Sequence, residues 1–505
     1  MYKETQRGVT QTYCRFFLAI IMVIVFTSCT ASDAPSPNNQ SDDRPLISIM
    51  TPLHFTHPPS QEMIQQIERL TNTRLDISWV PDGIYTDKIN TALTTNSLKK
   101  ATFVKYTDLL LVKNEIKSGA FWEIGPYLKE FPNLKHLDAE ILNQGAINDK
   151  IYGLYTERPS SRQGIIIRED WLEKLKLNKP KTIDELYEVM RQFTYGDPDG
   201  NGAADTIGLV DRNDLVFGAF KTLSSYLGTP NNWQVSENRL QPEFETEPYM
   251  NTMKFMKKLY NEKIINQDFA VSSKAVQRDK IIRGFAGVYI GSMLDVQRIA
   301  NETKAINPGA RFTLVNRIEG PSGLKVWSIP NYNGLYVFSK KAIKTEEELK
   351  QILSFFDRTM ERDVANLMKY GMEGKHHTVV GQTVQLPEKT SQLRENEVNA
   401  LYMLMIADLS NPNVLPIAQE ETLTAMAEKL STDNEQFLVK DPTVNLESST
   451  YDEKGIQLYK IIYDATYNYI LGNLNDEGFR KEVEKWKQNG GSQIIEEYSK
   501  AYFKK

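Results

Sequence analysis

Cysteine is nearly absent from this 505-residue chain, which has only Cys14 and Cys29, both within the first thirty residues. Downstream of them no internal disulfide and no Cys-ligated zinc site can form. Histidine is also scarce: His54, His57, His136, His376 and His377 are all there are. The adjacent pair cannot face one way on a strand, which argues against a histidine metal triad. Basic blocks are missing as well, with 60 Lys and Arg against 65 Asp and Glu for a net charge of −5. Phosphate binding needs clustered cations to displace counterions, so nucleic acid is excluded as the main partner. No GxSxG elbow, HExxH helix or GxxxxGK[ST] loop occurs, which removes the common hydrolase and nucleotide-binding signatures. The chain therefore reads as a non-enzyme. A facing carboxylate pair of the glycosidase kind stays open among so many acidic residues, although nothing singles one out.

Long apolar runs are lacking too. The run FFLAIIMVIVF, residues 16–26, follows Lys3, Arg7 and Arg15 and precedes the small residues Thr27 and Ser28. Eleven residues at 1.5 Å each span about 16 Å, roughly half a bilayer core. A signal peptide over residues 1–28 fits better than a membrane-spanning helix. The Phe-Thr-Ser-Cys ending resembles the lipobox of bacterial lipoproteins, with Phe26 where leucine is usual. That resemblance implies cleavage before Cys29 and lipidation of its thiol, palmitate included, anchoring the protein on the outer face of the cell membrane. An uncleaved or conventionally cleaved signal with an incidental Cys29 is the alternative. Residues 29–45, rich in Ser, Pro, Asn and Asp, read as a disordered tether reaching about 20 Å.

From residue 46 the pattern is α/β. LISIM (46–50), a helical stretch (61–70) and RLDISWV (74–80) form a βαβ unit, with further strands expected at LLLV (109–112), GIIIR (164–168), GVYIG (287–291) and GLYVFS (334–339). Thr182 and Glu185 have capping-box spacing, followed by an apolar stripe from Ile183 to Phe193. Trp171 belongs to an earlier helical stripe and reads as packing. The C-terminal part is helical. Between these elements DPDGNGAAD, residues 197–205, looks like a calcium loop: Asp197, Asp199 and Asn201 as oxygen ligands, Ala203 through its carbonyl, Asp205 at position nine. Gly208 stands where an EF-hand has its bidentate glutamate, so Asp211 or water would complete the shell. Structural Ca²⁺ is the expected cofactor, with a plain surface turn as the alternative.

The run at 164–209, GIIIREDWLEKLKLNKPKTIDELYEVMRQFTYGDPDGNGAADTIGL, is similar to a signature stretch of extracellular solute-binding lipoproteins of Gram-positive carbohydrate ABC transporters. YGMEGKHHTVV (370–380) resembles that family's YG-EGxH-TVV element, and residues 486–502 resemble its closing helix. The chain departs at SLKKATFVKYT (97–107), where the family has a Gly-Asp-Pro-Asp-like turn bordering the cleft. The resemblance implies a two-lobed type 2 periplasmic-binding-protein fold, each lobe a mostly parallel sheet flanked by helices. The first lobe would take residues 46–160 plus about 334–380. The second would take about 161–333 plus 381–505, with the calcium-like loop. It further implies a monomer that captures an oligosaccharide between the lobes and hands it to ABC permease subunits. Sugar faces need aromatic platforms and hydroxyls need polar partners, which selects Trp79, Asp108, Trp122, Trp233, Tyr289, Asp295, Trp327 and Tyr332 as ligand-binding candidates. A surface carbohydrate-active hydrolase and a sensory or adhesive surface protein are the competing readings.

Overall fold

Ser60 starts the first helix: its hydroxyl accepts from Met63 N at 3.4 Å, and Asn72 ends the element in the left-handed region at φ 52°. The helix, Gln61–Thr71, links strands Leu46–Leu53 and Arg74–Pro81, which run parallel with Leu46 opposite Arg74 and Leu53 opposite Pro81. In this computed structural model, which describes residues 42–418 and 422–504, two units separate, Met1–Asp43 and Arg44–Lys505. The expected signal peptide, Cys29 and most of the tether lie outside the described residues.

Arg44–Lys505 holds two sheets. The first has the order Arg74–Pro81, Leu46–Leu53, Ala101–Lys105, Tyr332–Phe338, Gly153–Glu157, and the second Phe312–Val315, Gln163–Arg168, Ala286–Ser292, Ile207–Val210. Both are mixed rather than mostly parallel. Tyr332–Phe338 runs antiparallel to both its neighbours, and Gln163–Arg168 does the same in the second sheet. The cause lies in the connections, because these strands enter by direct crossovers instead of helical βαβ returns.

Two elements differ from expectation in type. Residues 109–112 belong to a helix, Leu109–Lys117, in which Val112 and Ile116 are buried at a spacing of four while Leu109, Leu110 and Leu111 are half-buried. The strand is instead Ala101–Lys105, whose first four residues are all buried beside Tyr332–Phe338. The expected Thr182 cap is present, its Oγ1 accepting from Glu185 N at 3.2 Å, while Glu185 Oε2 accepts from Lys181 N at 2.7 Å, one residue ahead of the reciprocal position.

The first core gathers Ile47, Ile49, Phe103, Tyr336 and Phe356, and also Val398, Leu401 and Met403 to Ala407. A handover to the second lobe at residue 381 is therefore too early. The apolar run ALYMLMIA returns to cover the first sheet before the chain crosses again. The second core gathers Ile165, Trp171, Phe193, Leu223, Val288 and Ile470, and a further cluster with Ile166, Tyr289 and Leu314 covers the opposite face of the same sheet.

Candidate functional site

The crossovers between the sheets lie side by side. Arg158 N donates to Asn331 O at 2.9 Å and Ile329 N to Ser160 O at 2.8 Å, so residues 158–162 and 328–331 pair as extended backbone. Asn231 Nδ2 ties this pair to a third stretch, donating to Ser328 O at 2.8 Å and Val439 O at 3.0 Å.

The parallel strands end facing this junction, the position where open α/β sheets place ligands. From the first sheet, the carboxyl ends deliver His54 and Phe55, Asp82, and Tyr106. From the second come residues 211–217 after Ile207–Val210 and residues 293–295 after Ala286–Ser292. Tyr106 meets Tyr332 edge-on at 5.8 Å, and the Arg158 guanidinium lies over Tyr106 at 5.1 Å. Tyr402 lies 6.0 Å from both His54 and Phe55. Burial lowers the His54 imidazole against the opposing pull of Asp82. Most carboxylates here already hold a cation: Asp82 with Lys105, Asp214 with Arg212 at 3.1 Å, Asp295 with Lys274 at 3.0 Å, Glu243 with Lys221. Asp441 instead accepts from Asn232 and Thr443, and burial raises its carboxyl.

A row of tyrosines runs along one helix, Ser449–Ile470. Tyr451, Tyr459, Tyr463 and Tyr467 are separated by eight, four and four residues, so adjacent rings adjoin while the row winds around the helix. Tyr459 and Tyr463 are 5.6 Å apart and Tyr463 and Tyr467 5.0 Å, while the Tyr451 ring rests on Gly455, where a Cβ would come within 3.0 Å of it. Tyr463 donates to Asn213 Oδ1 from the loop after Ile207–Val210. Exposure is 39% at Tyr451 and 52% at Tyr459 and falls to 7% at Tyr467. Burial nevertheless pushes the Tyr451 phenol up to about 12, with Tyr106 and Asp441 adding to it, and raises the Tyr459 phenol as well. The row's amino end meets the first lobe, where Lys113 and Lys117 pair with Asp452 at 2.8 and 2.6 Å.

Of the residues selected from sequence, Tyr289 and Asp295 come together, the hydroxyl donating to Asp295 Oδ2 at 3.0 Å. Tyr332 joins Tyr106 beside the crossover. Asp108 accepts from Thr86 Oγ1 at 2.7 Å. Trp327 is not on an open stretch: it is 3% exposed, sits in a short strand, Val326–Trp327, and donates from Nε1 to Thr222 Oγ1 at 3.1 Å. Trp79 and Trp122 pack against the first core, and Trp233 packs 5.3 Å from Tyr498 in the second. Sequence reasoning passed over the tyrosine row, although its spacing of four is visible in the string, and it passed over Arg158 and Arg162, which carry no pattern.

In the loop 197–205, Asp197 accepts from Gly200 N at 2.9 Å and Gly202 N at 3.2 Å, while Asn201 Nδ2 donates to Asp199 at 2.7 Å and to Asp205 at 3.1 Å. An amide thus links the carboxylates. Among the described residues no group of three or more His, Cys, Asp or Glu side chains is placed to hold a metal ion. Asp211 does not complete this loop. It is turned inward, accepting from Ala219 N at 2.9 Å.

Burial pushes the Asp211 carboxyl up to about 7, against the Ala219 and Arg212 hydrogen bonds and with Asp214 adding to it. A carboxyl raised in the folded state holds its proton longer there than in the unfolded chain. The stability it contributes is complete below about pH 4 and is lost as pH rises through 7. Between pH 5 and 8, wild type is expected to lose about 2–3 kcal/mol more than Asp211→Asn. Urea midpoints at the two pH values check this, and equal losses would contradict it.

A separate recess of about 490 Å³ is lined by Lys460, Asp464, Glu482 and Lys485, whose charges pair among themselves. It offers no aromatic face.

Residues 57–344 match the family described as bacterial extracellular solute-binding protein. The chain is 42% identical over 497 residues to the polygalacturonan/rhamnogalacturonan-binding protein YtcQ of Bacillus subtilis (strain 168), covering 96% of this chain and 98% of that one. It is 32% identical to lipoprotein LipO of the same organism, covering 95% and 97%. Among solved structures it is similar to the alginate-binding protein AlgQ2 without calcium ion, with a TM-score of 0.71 over 91% of this chain and 98% of that one. At 16% identity that likeness is one of fold.

Proposed function

The chain belongs to the bacterial extracellular solute-binding proteins, and from that premise we propose that it captures an oligosaccharide in the interlobe cleft and delivers it to the permease of an ABC importer. The observation that carries this is the tyrosine row whose amino end meets the first lobe, because the exposed Tyr451 and Tyr459 rings suit sugar faces. The printed ligands of the YtcQ relative, polygalacturonan and rhamnogalacturonan, support a fragment of such a polysaccharide as the solute. Closure of the lobes around it would create the shape the permease reads. Binding without turnover is supported by the binding proteins the chain resembles over most of its length.

Thermal unfolding against a panel of mono- and oligosaccharides tests this. Ligand at a thousand times Kd stabilises by roughly 4 kcal/mol, so a selective shift is expected, with the sugar recovered intact. Deletion of the protein should abolish import of the bound sugar, and unchanged uptake of every bound sugar would sink the transport reading.

We also propose a lipidated Cys29 holding the protein on the membrane as a monomer. LipO, a lipoprotein by name, supports the anchor. Cys29→Ser is expected to move the protein from the membrane fraction to the medium. For the loop 197–205, the carboxylate, amide and carbonyl oxygens of Asp197, Asp199, Asn201, Ala203 and Asp205 suit Ca²⁺ by donor chemistry. Millimolar Ca²⁺ should raise the melting temperature, an effect lost in Asp197→Asn/Asp199→Asn. Equal melting with calcium or chelator would leave the loop as a surface turn.

A further inference from the structure

Buried polar groups without a partner are rare in folded proteins and each requires a reason. Eight occur among the described residues, and four of them lie on the first crossover and the strand ends flanking it: Thr156 Oγ1, Arg158 Nη2, Arg162 Nε and Gln163 Oε1. Two are guanidinium nitrogens. Arg158 is 5% exposed, and its only hydrogen bond from the side chain runs from Nε to Pro330 O at 2.9 Å. Tyr106 supports one face of the guanidinium at 5.1 Å. Nη2 is left with no acceptor among the described residues. Arg162 lies near enough to disfavour the Arg158 charge, and together with burial it brings that guanidinium down to about 9. Around Arg162 stand Asp295, Tyr402 and Tyr289, but Asp295 already pairs with Lys274.

Leaving a cation desolvated without a counterion costs several kcal/mol, and two neighbouring ones repel. An anionic partner would relieve both costs. A planar fork held from behind by a ring and a carbonyl matches a carboxylate, which accepts two parallel N–H bonds. Inorganic phosphate would meet the same charge but gains nothing from the sugar platforms alongside. Resting on the oligosaccharide reading above, we propose that Arg158 and Arg162 bind a carboxylate of the ligand, making this protein selective for uronate-bearing oligosaccharides over their neutral or methyl-esterified counterparts.

The experiment is calorimetric titration of the purified protein with a galacturonate trimer and with its fully methyl-esterified form, at low and at moderate NaCl. Wild type is expected to bind the acid at least about a hundredfold more tightly, with an affinity that falls as salt rises. Arg158→Gln should lose far more affinity for the acid than for the ester, and Arg158→Lys should restore part of that difference. Equal affinity of wild type for acid and ester overturns the proposal. So does an equal loss of both in Arg158→Gln, which would mark a purely structural residue. Should Arg158→Gln fail to fold, Arg162→Gln and the wild-type salt dependence carry the same decision. Binding of neutral oligosaccharides alone would overturn the carboxylate assignment and leave capture standing. Binding of no oligosaccharide would overturn capture itself.

Discussion

Replacing Tyr451 and Tyr459 together by alanine is expected to weaken oligosaccharide binding by about a hundredfold and to shift the melting temperature by no more than about 2 °C. Covering one exposed phenol face takes several tens of Å² of apolar surface out of water, on the order of 1–2 kcal/mol per ring. Two rings eight residues apart lie about 12 Å from each other along the helix, so one ligand must be long enough to reach both. A monosaccharide should therefore lose less than an oligomer. Little stability is at stake, because the two rings are 39% and 52% exposed. Calorimetric titration of the variant decides the matter. Unchanged affinity with a normal melting curve would take the tyrosine row out of the binding site.

The largest effect on stability is expected at Trp171. It is 2% exposed, meets Phe193 edge-on at 5.3 Å and carries the buried Arg168 guanidinium at 4.6 Å. Gly287 makes room for both rings, since a Cβ there would come 2.1 Å from Phe193 and 2.6 Å from Trp171. Trp171→Ala should cost about 3–5 kcal/mol through lost burial and the cavity left behind. Arg168 keeps Asp170 at 2.6 Å but loses its stacking partner. A urea titration or calorimetric scan of the variant checks this. A drop of less than about 1 kcal/mol would mean that the ring is not the centre of that core.

What the string disclosed, and what it hid, follows from the range of each interaction. The Leu46–Pro81 unit and the Thr182 cap were legible because pattern and capping act within a few residues. LLLV misled because its periodicity is read only with Ile116, and Ala101–Lys105 hid between lysines. Trp327 illustrates the limit for the site. Its neighbours in sequence are irregular, yet a strand more than a hundred residues later covers it. Arg158 and Arg162 are still harder, since their meaning lies in what they lack, and an unpaired nitrogen becomes visible only once every neighbour has been placed.

The central claim is that the cleft holds an oligosaccharide and leaves it whole. The most direct measurement titrates the purified protein with oligogalacturonates of graded length, then identifies the recovered sugar by mass spectrometry. The account predicts one ligand per chain, affinity rising until the chain reaches along the tyrosine row, and intact sugar afterwards. Shortened products, or no heat with any oligosaccharide of the series or of a neutral panel, would contradict it.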